Sequence, residues 1–519
     1  MAPRKNGLAL HGTQGVNRWT AGGLHFASEI RMTESSKSFR GRNRPQIGTS
    51  HEDYYMFVSA KFSNCRLHGL ILLLFGVYIC IMIIPHLNRP HSIYWSNLDE
   101  TSIAALSVEW ASSGHYRATI LPDGLLLSEN VFAANTAIYP YISGVLLKIF
   151  GVQRWCIRFG SIVSFFGAAT CLYFIWRQTE RSKLKLWAVF ICYFGCPFLL
   201  QSSTVGRPEM LSVFLCYFAA FLAVKASTST EYHAACIFFS GSAAALAVWN
   251  NPLFAGLSCL SPLLYLEFCK SSLWRKGLIY FLLGAMLAVI VMSLVILVPH
   301  WDAWKEQWPL NKLTYTKRSP EVKLTIAGIL GCIVAMKSRF SMLGMPYLSW
   351  YLLLPVWCCL FRSASRKGLF AVSVIMVFQI AVALRTPILF YTVIQFVAAL
   401  PLMLFFVNER PLPVLTRAKP VLILLFSISC CIHPWLIFRE TESVRAYEAR
   451  EIQIAQRLIE FPKEKRIVMG PVQAAFPSWK LGFRYIGLKP VFFEEANEIA
   501  EKYSILATTQ ADLIISDNP

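Results

Sequence analysis

The stretch LHGLILLLFGVYICIMIIPHLNRPHSIYWSNLDETSIAALSVEW, Leu67 to Trp110, organises the reading of the whole chain. Leu67 to Ile84 is an apolar run close to the ~20 residues that a helix needs to cross a bilayer. Shortly after it comes an adjacent acid pair, Asp99 and Glu100. Ser96 followed three residues later by Asp99, and Asn97 by Glu100, have capping-box spacing, and either acid is favoured in the first turn by the helix dipole. Steps of four, three and four residues place Asp99, Ile103, Leu106 and Trp110 on one stripe of the helix that follows. That pattern suits a helix lying on a membrane surface. A carboxylate on its membrane-directed edge costs free energy unless something polar meets it there. The pair therefore reads both as a helix start and as a site at the lipid–water boundary.

Composition supports a membrane setting. Of 519 residues, 55% are hydrophobic and 15% charged, against roughly one-quarter charged in a soluble domain, and the mean hydropathy is +0.48. The net charge of +20 would suggest nucleic acid in a soluble protein. Here Lys and Arg gather in particular loops, as positive-inside topology requires, so no nucleic-acid partner is expected. The fifteen cysteines fall almost entirely inside apolar runs, without CxxC spacing, and read as small core residues.

Eleven transmembrane helices are expected. The first is 67–84, and the others are roughly 158–176, 186–203, 210–224, 235–249, 252–267, 277–298, 345–361, 368–384, 387–407 and 419–438. The short basic connections RQTERSKLK, CKSSLWRK, FRSASRK and ERPLPVLTRAK all fall on the cytoplasmic side of this arrangement if LTIAGILGCIVAMK, 324–337, lies on the outer surface without crossing. Residues 1–66 read as a disordered basic cytoplasmic tail. Residues 67–438 form the membrane domain, with a large first outer loop at 85–157. Residues 439–519 form a small non-cytoplasmic α/β domain, built from an amphipathic helix (apolar at Tyr447, Ile454, Leu458 and Phe461), the strand-like runs RIVMG, KPVFFE and ADLIIS, and the helical ANEIAEKY.

Further segments recur in a fixed order along this topology. Tyr139–Pro140 lies about forty residues after the acid pair, FGVQRWCIRFGS opens the second span, and STVGRPEM separates the third and fourth. In this order the segments resemble the GT-C superfamily of membrane glycosyltransferases. The branch most similar contains protein O-mannosyltransferases, the lipid A aminoarabinose transferase and the galacturonosyltransferases of lipopolysaccharide core. The matching positions are Asp99 and Glu100; Tyr139 and Pro140; Phe150, Gly151, Trp155 and Arg158; and Arg207, Pro208, Glu209 and Met210. RTPILFYTVIQFVAALPLM from Arg385 resembles a late family segment. Two departures stand out: IYP replaces Lys-Pro-Pro, removing a lysine, and Glu209 replaces the usual Asp.

The resemblance implies transfer of a sugar from a polyprenyl-phosphate donor to a hydroxyl of a lipid, glycan or protein acceptor, with inversion. It implies Asp99 as general base and leaves to Glu100 the positioning of the acceptor or of a metal. No cofactor is expected beyond an optional divalent cation, since no His/Cys/Asp spacing has the form of a strong metal site. Tyr139, Arg207, Glu209, Lys317, Arg318 and Arg385 are the candidate donor-phosphate or substrate contacts, because cations stabilise a departing phosphate and arginine offers it a bidentate fork. Each has a plainer reading beside it. The basic residues also suit snorkelling to headgroups, and Arg207 with Glu209 suits a span-end charge pair. Asn250 and Asn251 suit a turn. The rival functions are a secondary transporter or lipid flippase, and a non-catalytic assembly subunit. Transporters place ionisable groups near the bilayer midplane, whereas the polar chemistry here gathers at span ends. The absence of any Asn-x-Ser/Thr sequon fits a bacterial inner membrane better than an endoplasmic reticulum.

Overall fold

The structure is a computed structural model that describes residues 76–77, 80, 84, 87–89, 96–116, 138–179, 183–194, 196–229, 231–269, 273–305, 365–385, 398–406, 442–461, 467–470, 474–487 and 513–514. All lie in the larger of two compact units, Ile71–Pro519. The expected first span, the tail 1–66, the segment 324–337, the spans at 345–361 and 419–438, and the runs KPVFFE and ANEIAEKY fall wholly or almost wholly outside the described residues.

The helices are α1 (Ser96–Ser113), α2 (Ile138–Phe150), α3 (Arg154–Thr179), α4 (Lys183–Phe194), α5 (Pro197–Thr204), α6 (Glu209–Thr228), α7 (His233–Asn250), α8 (Leu260–Phe268), α9 (Trp274–Met292) and α10 (Arg366–Arg385). Among the described residues, four helical segments are long and apolar enough to cross a membrane: α3, α6, α7 and α9 with its continuation to Lys305. The protein is a helical membrane protein. On α9, Leu282, Leu283, Met286, Leu287 and Ile290 are exposed, as a helix facing hydrocarbon requires.

The bundle is a chain of neighbours in which α3 packs on α6, α6 on α7, and α7 on α9. At Gly241 a Cβ would overlap the Phe281 carbonyl of α9, so this seam closes to backbone contact. Small residues let helices approach this closely where the hydrophobic effect offers no drive between them. Polar side chains tie the seams further: Ser240 donates to the Ala219 carbonyl at 2.7 Å, and Tyr217 to the Ala398 carbonyl at 2.6 Å.

Two expected spans are interrupted. The stretch 186–203 is divided between α4, which ends at Phe194, and α5, which Pro197 opens after an extended Cys196. Proline has no N–H for the helical ladder and disfavours helical geometry in the residue before it. The stretch 252–267 begins with a 3₁₀ turn, Pro252–Phe254, capped by the Asn251 side chain, and continues as a short turn of helix and then α8.

The C-terminal elements are α11 (Glu442–Ile459), α12 (Ala475–Lys480) and the strands β1 (Ile467–Gly470), β2 (Arg484–Gly487) and β3 (Leu513–Ile514). The strands form a parallel sheet in the order β2-β1-β3, with Ile467 opposite Arg484 and Val468 opposite Leu513. Strands at RIVMG and ADLIIS follow the sequence pattern. Strand β2 and helix α12 do not, since GFRYIG and AFPSWK are too short for a periodic signal.

Candidate functional site

Helix α1 begins at Ser96, so Asp99 and Glu100 are its fourth and fifth residues, at its N-terminal end. The buried face of α1 carries Glu100, Ala104 and Ser107, residues spaced by four and three. The stripe through Ile103, Leu106 and Trp110 is not a free membrane edge. Leu106 is buried, and the Trp110 ring meets Tyr141 of α2 edge-on, with centroids 5.2 Å apart. The side chain of Asp99 lies outside the described residues.

Glu100 is 2% exposed and grips Arg158, which is fully buried in the first turn and a half of α3. Arg158 Nε donates to Glu100 Oε1 at 2.6 Å and Nη2 to Oε2 at 2.8 Å. This is the parallel two-bond geometry for which arginine is suited. The remaining nitrogen, Nη1, donates to the carbonyls of Leu87 at 3.1 Å and Arg89 at 2.6 Å. A third donor reaches the carboxylate from the start of α6: the Gly206 N–H lies 3.1 Å from Glu100 Oε1. A Cβ at Gly206 would overlap Ile157, so glycine is what lets this backbone come close. One carboxylate thus joins α1, the 87–89 segment, α3 and the loop before α6. Removing one partner of so buried a pair costs about 3–5 kcal/mol, because the other charge is left uncompensated.

The segment FGVQRWCIR gives each of its marked residues a task. Gly151 has φ +76° and makes the turn between α2 and α3, a conformation glycine adopts at no steric cost. Phe150 packs on Trp155 across that turn, at 5.2 Å between centroids. Arg158 then faces Glu100. Tyr139, in the first turn of α2, is fully buried, and its hydroxyl donates to the Ile157 carbonyl at 2.6 Å and lies 2.7 Å from Ser161 Oγ. Ser161 also lies 3.1 Å from the Arg207 carbonyl. The Tyr139 hydroxyl is therefore engaged inside the protein, tying α2 to α3 beneath the ion pair.

Arg207 and Glu209 stand at the same end of the bundle. Arg207 Nη2 donates to Glu209 Oε1 at 2.7 Å, and Glu209 is 1% exposed. Among the described residues, Glu209 Oε2 has no hydrogen-bond partner, and neither does Asn250 Oδ1. Asn250 ends α7, and its Nδ2 donates to the Pro208 carbonyl and to Ser212 Oγ, both at 2.8 Å. The amide orientation is settled by Ser212, whose own hydroxyl is committed to the Ala247 carbonyl at 3.1 Å. Asn251 caps the next turn through Leu253 N–H at 3.1 Å, as its turn reading expects. Asn250 does more than that reading, since it holds α7 to the start of α6.

Arg385 is the last residue of α10, with its side chain outside the described residues, and Lys317 and Arg318 are also outside them. Of the candidate residues, Glu100, Tyr139, Arg207 and Glu209 converge on the ends of α3, α6 and α7. Among the described residues no group of three or more His, Cys, Asp or Glu gathers as a metal site. Of the others that join this region, Arg154 and Gly206 lie inside FGVQRWCIR and STVGRPEM without being singled out there, Asn250 reads in the sequence only as a turn residue, and Glu451 has no signal of its own. Arg158 had one, as part of FGVQRWCIR.

No family model and no curated protein matches the sequence. Solved structures do align with the fold. ArnT from Cupriavidus metallidurans bound to undecaprenyl phosphate superposes with TM-score 0.53 and 13% identity, over 85% of this chain and 89% of that one. Its apo state gives TM-score 0.54 and 12% identity, over 86% and 89%. The apo oligosaccharyltransferase of Archaeoglobus fulgidus aligns less well, with TM-score 0.46 and 12% identity over 86% and 69%. The chain shares the fold of ArnT.

Proposed function

We propose that the protein is a GT-C-type glycosyltransferase. It transfers a sugar from a polyprenyl-phosphate donor to a hydroxyl of a lipid, glycan or protein acceptor at the outer membrane–water interface. The observation that carries this reading is the joint made by Glu100. It anchors the first turn of α1, and hence the backbone of Asp99, to the converging ends of α3 and α6, on the fold of an enzyme crystallised with undecaprenyl phosphate.

In this reading Asp99 takes the acceptor proton as the acceptor oxygen displaces the lipid phosphate from the anomeric carbon, with inversion. Glu100 holds the helix that aims Asp99, because both its oxygens are already bonded. Arg207, Arg385, Lys317 and Arg318 supply positive charge to the departing phosphate, while Glu209 and Tyr139 shape the substrate side. Eleven spans and a non-cytoplasmic C-terminal α/β domain complete the topology, with the acid pair and that domain on the same side.

The test is Asp99→Asn in purified, membrane-reconstituted protein supplied with polyprenyl-phosphate sugar. Loss of general-base catalysis lowers turnover by about 10²–10⁴-fold, with the fold retained. Transfer at the wild-type rate would remove Asp99 from the chemistry.

A further inference from the structure

Arg154 stands one turn before Arg158 on α3 and does for the C-terminal part of the chain what Arg158 does for α1. Its Nη2 donates to Glu451 Oε1 at 2.5 Å, and its Nη1 to Glu451 Oε2 at 3.3 Å and to the Asn88 carbonyl at 3.2 Å. The guanidinium also lies 4.1 Å from the centroid of the Phe476 ring, a favourable cation–π placement. Three successive carbonyls, those of Leu87, Asn88 and Arg89, are thus taken by two arginines, each of which binds a carboxylate from a different helix.

Glu451 lies on the apolar stripe of α11. Tyr447, Glu451, Ile454, Leu458 and Phe461 follow steps of four, three, four and three, and Ile454 and Leu458 are buried. A carboxylate in that stripe is costly without a partner, and Arg154 is the partner. The apolar side of the same contact is continuous with α1: Ala104, Ala105 and Ile157 share one buried cluster with Leu458, Phe476 and Trp479. Glu100 is within electrostatic reach of both Arg154 and Tyr447. Burial, followed by the Glu451 charge, pushes the Tyr447 phenol well above its usual range, so it stays neutral in this contact. The outer pair, Arg89 with Glu448 at 3.6 Å, is more exposed and contributes little.

We infer that Arg154 and Glu451 are positioning residues, through which docking of α11 sets the attitude of the catalytic helix α1. The C-terminal unit is then part of the site and not an appendage to it. This inference rests on α1 as the helix that carries Asp99. When Glu451 loses its charge, Arg154 becomes a buried cation facing the 87–89 carbonyls and the field of Glu100. It then competes with Arg158 for the groups that hold the first turn of α1.

The experiment is hydrogen exchange on the full chain in lipid nanodiscs, comparing wild type, Glu451→Gln and the charge-conserving Glu451→Asp. In Glu451→Gln, amides of residues 96–113 are expected to exchange about tenfold faster while those of α6 and α7 keep their protection. In the transfer assay kcat falls and KM is unchanged, and Glu451→Asp restores both readouts most of the way. The inference is overturned if α11 loosens with no change in α1, or if α1, α6 and α7 lose protection together, which is what a merely structural role gives. Exchange does not depend on turnover, so an active Asp99→Asn would remove the base and leave the exchange result standing.

Discussion

Two buried arginine–glutamate pairs sit at one end of the bundle and are built on different principles. Arg158–Glu100 joins residues 58 apart in sequence, uses both carboxylate oxygens, and is completed by Gly206 N–H and two backbone carbonyls. Arg207–Glu209 joins residues two apart through one oxygen and leaves Glu209 Oε2 without a partner among the described residues. The first pair has spent its hydrogen-bonding capacity on joining helices. The second retains an acceptor that its surroundings do not satisfy, and an unsatisfied buried acceptor carries a desolvation penalty. A site needs both kinds of group: joints that hold reactive groups in place, and polar atoms kept available.

This contrast can be broken most sharply at Arg158. Arg158→Met leaves Glu100 as a buried charge without its cation and is expected to cost about 3–5 kcal/mol, read as a lowered unfolding midpoint in mixed detergent. Adding Glu100→Met should recover part of that loss; a double variant less stable than the single one would show that the pair is not the joint described here. Gly206→Ala comes next. Its methyl group overlaps Ile157 and stands 3.3 Å from Glu100 Oε1, so overpacking of about 1–3 kcal/mol is expected. An alanine variant as stable as wild type would mean that the loop before α6 has room to move away.

An effect on stability smaller than that at Arg158 belongs to Glu209→Gln. The amide oxygen can keep the bond from Arg207, but the charge facing the buried Arg207 is lost. A cost of about 1.5–3 kcal/mol is expected, the range for a hydrogen bond to a charged group. The transfer rate should fall all the same, if Glu209 shapes the substrate side. Glu100→Gln, measured beside it, should cost clearly more, because its amide sets an N–H against an Arg158 donor. Equal losses for the two substitutions would erase the distinction between the pairs.

Much of this was legible from local pattern. The long helices α3, α6, α7 and α9 follow apolar runs of bilayer length, and a helix starts at Ser96, at the acid pair. The break at Pro197 was also legible in principle, but hydropathy averages over a proline that local backbone geometry does not tolerate. The face of α1 was harder to read. Its apolar stripe through Ile103 and Leu106 and its small-residue face through Ala104 and Ser107 are neighbours on one cylinder, and hydropathy favours the larger side chains. Close packing favours the smaller ones, since α1 must approach α2 and the C-terminal cluster.

The sequence by itself determined that this chain is a bundle of membrane helices with an acid pair in the first turn of a helix beside it. Apolar length and capping are properties of contiguous residues, and bilayer thickness and helix geometry act on them directly. Only the tertiary structure decided that Glu100 belongs to Arg158 and Gly206, that Arg154 belongs to Glu451, and that one oxygen of Glu209 has no partner among the described residues. A buried charge takes whichever complementary group packing brings within hydrogen-bond distance. For Glu451 that group lies 297 residues away in the chain, a separation that no local pattern encodes.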